Sequence, residues 1–183
     1  MTINKHIQQF ENFLAPEECK KYIEISESIG YEVAKVTGSQ NQQVSMPNVR
    51  NNQRVLYLNV STAKELWSEA KHLVPTDLGI YTAIGLNEMI RFYKYEKGQR
   101  FRMHSDMSYV RNGVECSFKT FIIYLNDDFI GGETEFIVGS KIKPKQGSLL
   151  VFDHQLKHQG NPVLQGTKYV LRTDIMYRQD RNN

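Results

Sequence analysis

The sequence holds only two cysteines, Cys19 and Cys116, far apart and without C-x-x-C spacing, which argues against a disulfide framework. Two free thiols in a reducing, cytoplasmic setting are the expectation. No run of about eighteen apolar residues is present to span a membrane, and the opening MTINKHIQQFENF lacks the apolar core of a secretory signal. Charge of neither sign prevails: 23 Lys and Arg stand against 20 Asp and Glu, with no long cationic block, so nothing motivates nucleic-acid binding. There is no internal repeat and no Pro- or Gly-rich linker. What remains, at 183 residues with 40% apolar and 23% charged, is a single domain over 1–183 that buries roughly 70% of its unfolded surface.

The two halves differ in texture. Pro16 can open a helix, Cys19, Tyr22, Ile23, Ser26 and Ile29 recur at helical steps, and Gly30 supplies a stop, so a helix is expected over 16–29. A second is expected from Ser61 or Thr62, with Glu65 placed for a capping box and Ala63, Leu66, Trp67, Ala70 and Leu73 on one face before Pro75. From Leu86 onward, short runs rich in Ile, Val, Phe, Tyr and Thr alternate with turn signals. Strands are expected at 88–95, 119–125, 134–138, 148–153 and 168–177, with 54–60 an earlier partner. This order predicts a mainly β sandwich or barrel flanked by helices: helical support over about 1–85 and a strand core over about 86–178.

Chemistry gathers in that core. His104 and Asp106 are two residues apart, so on an extended segment their side chains project to the same face and can chelate one ion. His158, after the 148–153 run, offers a third ligand. Two imidazoles and a carboxylate leave positions open on a metal, as in non-heme Fe(II) oxygenases.

The motifs around these residues are specific. Tyr95 precedes Gly98-Gln99 and H-x-D; Tyr124-Leu-Asn precedes Gly131-Gly132-Glu-Thr134-x-Phe; Pro144-x-x-Gly147 precedes an apolar run; and His158 opens H-x-G-x-P-V-x-x-G-x-K. Over about residues 88–177 the chain resembles the prolyl 4-hydroxylase branch of the Fe(II)- and 2-oxoglutarate-dependent dioxygenases. That resemblance implies a double-stranded β-helix, or jelly roll, with His104, Asp106 and His158 on the iron ligands. It places Lys168 on the cation that pairs with the distal carboxylate of 2-oxoglutarate and Tyr124 on a hydroxyl donor to the same group. Tyr95 falls on a Tyr of the cosubstrate pocket, and Thr134 on a Thr facing the barrel interior. It further implies Fe(II), 2-oxoglutarate and O₂, with ascorbate as an accessory reductant, for hydroxylation of a C–H bond with release of succinate and CO₂.

A dicarboxylate inside an apolar barrel needs a buried cation and hydroxyl donors to offset its desolvation, and Lys168 with Tyr124 would supply both. Along the last strand Lys168, Val170, Arg172 and Asp174 share one face, opposite Tyr169, Leu171 and Thr173. Arg172 is therefore a second candidate for the distal carboxylate, or else pairs with Asp174 or reaches the substrate. His154 is the alternative distal metal ligand; lacking the following G-x-P-V, it is assigned to a supporting or surface place. Tyr93 is read as core, Asn126 to Asp128 as a solvated loop, and His6 and His72 as surface; Arg54 and Arg102 are read as surface, with binding of an anionic or peptide substrate as the alternative. The segment 38–52 and the loop 108–116 are read as substrate-selecting, the former as a mobile lid.

The resemblance points to a prolyl residue of a peptide or protein as substrate. A free amino acid or other small metabolite is the alternative. A non-catalytic jelly-roll module that binds 2-oxoglutarate and a cupin-type hydrolase or isomerase are the competing classes; no nucleic acid or membrane partner is expected.

Overall fold

The computed structural model describes residues 2–4, 6–37 and 42–180. Its main sheet has nine strands, all paired antiparallel. From one edge the order is Thr2–Asn4, Ile7–Phe10, Leu149–Asp153, Glu115–Tyr124, Lys168–Gln179, Met89–Tyr95, Gln53–Leu58 and Glu32–Val33, with Tyr81–Leu86 on the far end of Lys168–Gln179. A smaller sheet runs Lys141–Ile142, Thr134–Phe136, His158–Gly160, Phe101–His104.

The period-two alternation of the central strands gives the main sheet two different faces. Phe92, Phe121, Ile123, Leu149, Val151 and Leu171 pack on one side with Cys19, Ala63, Leu66 and Ala70 of the two helices. Tyr93, Tyr95, Tyr124, Leu150, Phe152 and Val170 pack on the other with Phe136, Ile142 and Val163. Phe136 meets Phe152 edge-on, ring centroids 5.0 Å apart, which joins the small sheet to the large one. The strand Lys168–Gln179 thus carries Leu171 in the helix-side core and Lys168, Val170 and Arg172 toward the small sheet, as its alternation predicts.

The first helix spans Pro16–Ile29 as expected; Pro16 occupies a first-turn position where no N–H partner is needed, and Glu18 accepts from the Ala15 N–H at 2.8 Å. The second spans Val60–Ala70, one to two residues earlier than expected. Its cap is Asn59, whose side chain accepts from the Thr62 N–H at 2.8 Å, while Glu65 takes the Ser61 hydroxyl at 2.9 Å instead of closing a capping box. Leu73 lies beyond the helix and is exposed. No described helix is long and apolar enough to cross a membrane.

Three expectations are corrected. The first 85 residues are more than helical support, because Ile7–Phe10 joins the main sheet beside the expected early partner, which spans Gln53–Leu58. The segment 38–52 is no free lid where it is described. Gln43–Val44 pairs with Val36–Thr37, Arg50 bridges to Phe101, and Arg102 N–H donates to the Val49 carbonyl at 2.9 Å; residues 38–41 lie outside the described residues. The loop 108–116 is shorter than read, since the strand Glu115–Tyr124 already includes Cys116.

Candidate metal centre and adjoining cavity

His104 and His158 stand directly opposite each other on neighbouring strands of the small sheet. Asp106 follows just beyond, where its N–H donates to the His154 carbonyl at 2.9 Å. One ligand atom from each of the three lies within 4.8 Å of the others. Each imidazole is oriented by the nitrogen that faces away from the cluster: His104 Nδ1 is 2.8 Å from the Arg102 carbonyl and His158 Nδ1 is 3.0 Å from that of Leu156. A carbonyl only accepts, so both Nδ1 atoms carry the proton and both Nε2 lone pairs are free for a metal. Phe101 stacks on His104 with centroids 3.5 Å apart, and Phe152 meets His158 edge-on, which fixes both rings.

Electrostatics agree. Burial pulls His104 down to about 4, aided by His158 and opposed by Asp106, and burial likewise lowers His158. Both are neutral at neutral pH, the form that ligates. Burial pushes Asp106 up, but Arg172, His158, His104 and the Thr120 hydroxyl outweigh it, so the carboxylate stays ionised. The two Asp106 oxygens are held separately: Oδ2 accepts from Thr120 at 2.5 Å, and Oδ1 is 3.2 Å from Arg172 Nη2.

Behind Thr120 the chain of hydrogen bonds continues. Thr120 spends its only proton on Asp106, so His154 Nδ1, 2.9 Å away, must be the donor to its oxygen, and His154 Nε2 then accepts from Ser117 Oγ at 2.9 Å. His154, 2% exposed, is thus neither ligand nor surface residue. It supports Asp106 from behind.

All eight residues singled out for metal or cosubstrate line one cavity of about 50 Å³. At one end Lys168 is 4% exposed; its Nζ donates to the Gly132 carbonyl at 2.6 Å, its one hydrogen-bond acceptor among the described residues, and lies 5.3 Å from the ring centroids of both Tyr95 and Tyr124. Burial lowers it to about 7. Tyr124 and Thr134 hydroxyls meet at 2.7 Å. Gly132 has φ +68°, and a Cβ there would come within 3.2 Å of the Lys168 side chain, so the second glycine of G-G-E-T leaves room for the cation. A buried ammonium with unused donors, aimed among hydroxyls, suits an anionic guest.

Residues 90–173 match the family model of the 2OG-Fe(II) oxygenase superfamily. The resemblance read from the motifs holds. This family uses Fe(II), 2-oxoglutarate and O₂, and His104, Asp106 and His158 could hold the metal. Among solved structures the chain is similar to the viral collagen prolyl hydroxylase of Paramecium Bursaria Chlorella virus-1 in complex with 2-oxoglutarate, at 20% identity and TM-score 0.65, covering 96% of this chain and 97% of that one. It is also similar to a Trichoplax adhaerens prolyl hydroxylase in complex with a hypoxia inducible factor peptide fragment, at 19% identity and TM-score 0.70, covering 97% and 84%. A Pseudomonas putida prolyl-4-hydroxylase gives 15% identity and TM-score 0.62, covering 97% and 95%. These likenesses establish the fold, a jelly roll with flanking helices. No curated protein matches by sequence.

Several side chains differ from their sequence reading. Tyr93 packs in the core, as read, but lines the cavity as well. Arg54 is half-buried, with its charge disfavoured by burial, and not a surface residue. Asn126 is buried and ties its loop together, donating to Asp128 and the Thr167 carbonyl and accepting from the Tyr169 N–H. Arg172 resolves toward pairing: its Nη2 reaches Asp174 at 2.9 Å as well as Asp106. Arg102, His6 and His72 are exposed, as read. Two contributors were missed, Thr120 and Arg50. Thr120 shares the face of Ile122 and Tyr124, so a hydroxyl in an otherwise apolar alternation was the available signal; for Arg50, which meets the site through the rings of Tyr93 and Phe101, the sequence offers none.

Proposed function

We propose that this chain is an Fe(II)- and 2-oxoglutarate-dependent dioxygenase that hydroxylates a C–H bond. The observation that carries the reading is the meeting, in one cavity, of the His104–Asp106–His158 cluster with a buried Lys168 whose charge no described carboxylate neutralises by an ion pair. His104, Asp106 and His158 would hold Fe(II), and Lys168 with Tyr124 would hold the far carboxylate of 2-oxoglutarate, while Tyr95 and Thr134 shape the wall around it. Bound there, Fe(II), 2-oxoglutarate and O₂ supply oxidative decarboxylation to succinate and CO₂ coupled to hydroxylation.

The residues of the chain position and shield. The Nδ1–H bonds of both histidines fix the direction of their lone pairs; Thr120 and Arg172 keep Asp106 in one orientation; and Ile122, Val170 and Phe101 line the cavity and restrict water. Arg172, doubly occupied by carboxylates, is the poorer partner for 2-oxoglutarate, which favours Lys168.

A prolyl residue of a peptide or protein is the substrate that the three prolyl hydroxylase structures support by likeness. A free amino acid or other small metabolite is the second reading. We read residues 1–183 as one catalytic domain, because strands from both halves share the main sheet, and the free thiols Cys19 and Cys116 fit a reducing, cytoplasmic setting. Incubation with Fe(II) and 2-oxoglutarate in air, with ascorbate added, should give succinate that His104→Ala and Asp106→Ala abolish. A sixteen-dalton gain on a prolyl peptide would select the first substrate, and succinate-free behaviour with Fe(II) present would refute the dioxygenase.

A further inference from the structure

Four arginines gather around one phenol on the cavity side of the main sheet. Across the strand ladder Arg54 is in register with Tyr93, and Arg91 with Arg172. The Arg50 guanidinium lies 4.5 Å from the Tyr93 ring centroid and 4.4 Å from that of Phe101, and both rings line the cavity. Burial pushes the Tyr93 phenol up, yet Arg50, Arg172 and Arg91 outweigh it and hold it below the usual tyrosine range. The acids facing this group are few. Asp174 takes Arg91 and Arg172, Asp106 takes Arg172 a second time, and Glu32 stands opposite Arg54 in the ladder.

Arg50 has no such partner. It is 5% exposed, its Nε donates to the neutral Asn52 side chain at 2.7 Å, and its Nη2 is buried without an acceptor among the described residues. The positions outside the described residues contain no Asp or Glu that could complete it. Arg54 repeats the pattern with a buried Nε lacking an acceptor. One buried and one half-buried guanidinium, each with a donor unsatisfied among the described residues and both beside a phenol that lines the cavity, form a site with an excess of positive charge that a carboxylate would satisfy; the planar fork of arginine suits that group bidentately.

On the dioxygenase reading, on which this inference rests, 2-oxoglutarate does not fill the site, because Lys168 and the metal account for its two ends. We propose that Arg50, Arg54 and Tyr93 form a subsite for a carboxylate of the substrate, so that the substrate is an acid whose carboxylate lies close to the hydroxylated carbon.

The test uses the Fe(II) enzyme with 2-oxoglutarate in air, reading substrate-stimulated succinate above the substrate-free background. The probes are the free amino acids, each paired with its primary amide, and prolyl tripeptides with glutamate or glutamine beside the proline. At least one acid should stimulate at least tenfold better than its amide counterpart; the amino acid and peptide pairs tell a free acid from an acidic peptide. Arg50→Gln should raise KM for that acid tenfold or more and bring the acid-to-amide ratio toward one, with Arg50→Lys between. Should Arg50→Gln fail to fold, the ratio in the unaltered enzyme decides alone. Equal stimulation by acid and amide, or no stimulation by any acid while background succinate is formed, overturns the subsite. So does an Arg50→Gln variant that raises KM for 2-oxoglutarate and keeps the acid preference. Absence of all Fe(II)-dependent succinate instead removes the dioxygenase reading, and calorimetric titration of the same acids and amides then decides the subsite by itself.

Discussion

At the scale of single residues the centre is held by groups that touch no metal. Thr120 donates to Asp106 and is itself backed by His154, and loss of such outer partners typically costs ten- to a hundredfold in metal affinity. Thr120→Val should therefore weaken Fe(II) binding by about that factor in anaerobic titration, and, because it leaves the buried His154 Nδ1–H without its acceptor, it should also lower the stability of the metal-free protein by about 1–3 kcal/mol. Lys168 makes a pH prediction. Its pKa falls from 10.5 to about 7 on burial, so between those values the unfolded chain binds the extra proton and the folded one does not. Stability of the ligand-free protein should rise with pH over that window. A carboxylate guest favours the charged form, so 2-oxoglutarate binding above pH 7 should take up a proton and weaken as pH rises. Calorimetry in buffers of different ionisation heat measures the uptake, and Lys168→Met should abolish it.

At the scale of elements, what could be read locally was read well. Pro16 and Gly30 bracket the first helix by their own backbone constraints, and its limits agree with expectation to the residue. The second helix began early because Asn59, its cap, sits at the end of a strand-like run whose apolar pattern continues into Val60. Long strands such as Lys168–Gln179 showed their faces through alternation, whereas Phe101–His104 and His158–Gly160 are too short to alternate visibly and exist because each pairs with a segment remote in sequence. The metal triad was legible because its motif is local for two members and the resemblance supplied the third. Its support was legible in part: His154 was read as a supporting candidate and Arg172 as a partner of Asp174, whereas Thr120 was not, since these side chains meet only through tertiary packing. Two substitutions probe this level. Gly132→Ala forces a side chain into a left-handed backbone beside Lys168; a cost of about 1–3 kcal/mol should appear in denaturant unfolding, with a raised KM for 2-oxoglutarate. Asn59→Ala should cost about 1 kcal/mol and leave 2-oxoglutarate binding unchanged.

At the scale of the whole molecule, one sheet divides two tasks. Its helix side buries Phe121 and Leu171 completely, and Phe121→Ala should destabilise by about 3–5 kcal/mol, seen as a lower denaturant midpoint at unchanged slope. Its other side carries charge and hydroxyls toward the cavity, where half-buried Asp106 and buried Arg172 and Asp174 compensate one another. Metal and 2-oxoglutarate bind only the folded form, so saturating both at about a hundredfold their Kd should add roughly 2.7 kcal/mol for each independent site. A chelator should reverse the metal share of the rise in melting temperature.

The two-faced strand Lys168–Gln179 bears on what changes the gene can tolerate. Deleting one codon between Lys168 and Arg172 would rotate every later side chain through half a turn, sending Arg172 toward the oily layer under the helices and a leucine or threonine toward His104, Asp106 and His158. Point replacements along this stretch can drift one at a time, but its length cannot: variation among descendants should show exchanges of residue type here and insertions or losses only in the turns on either side.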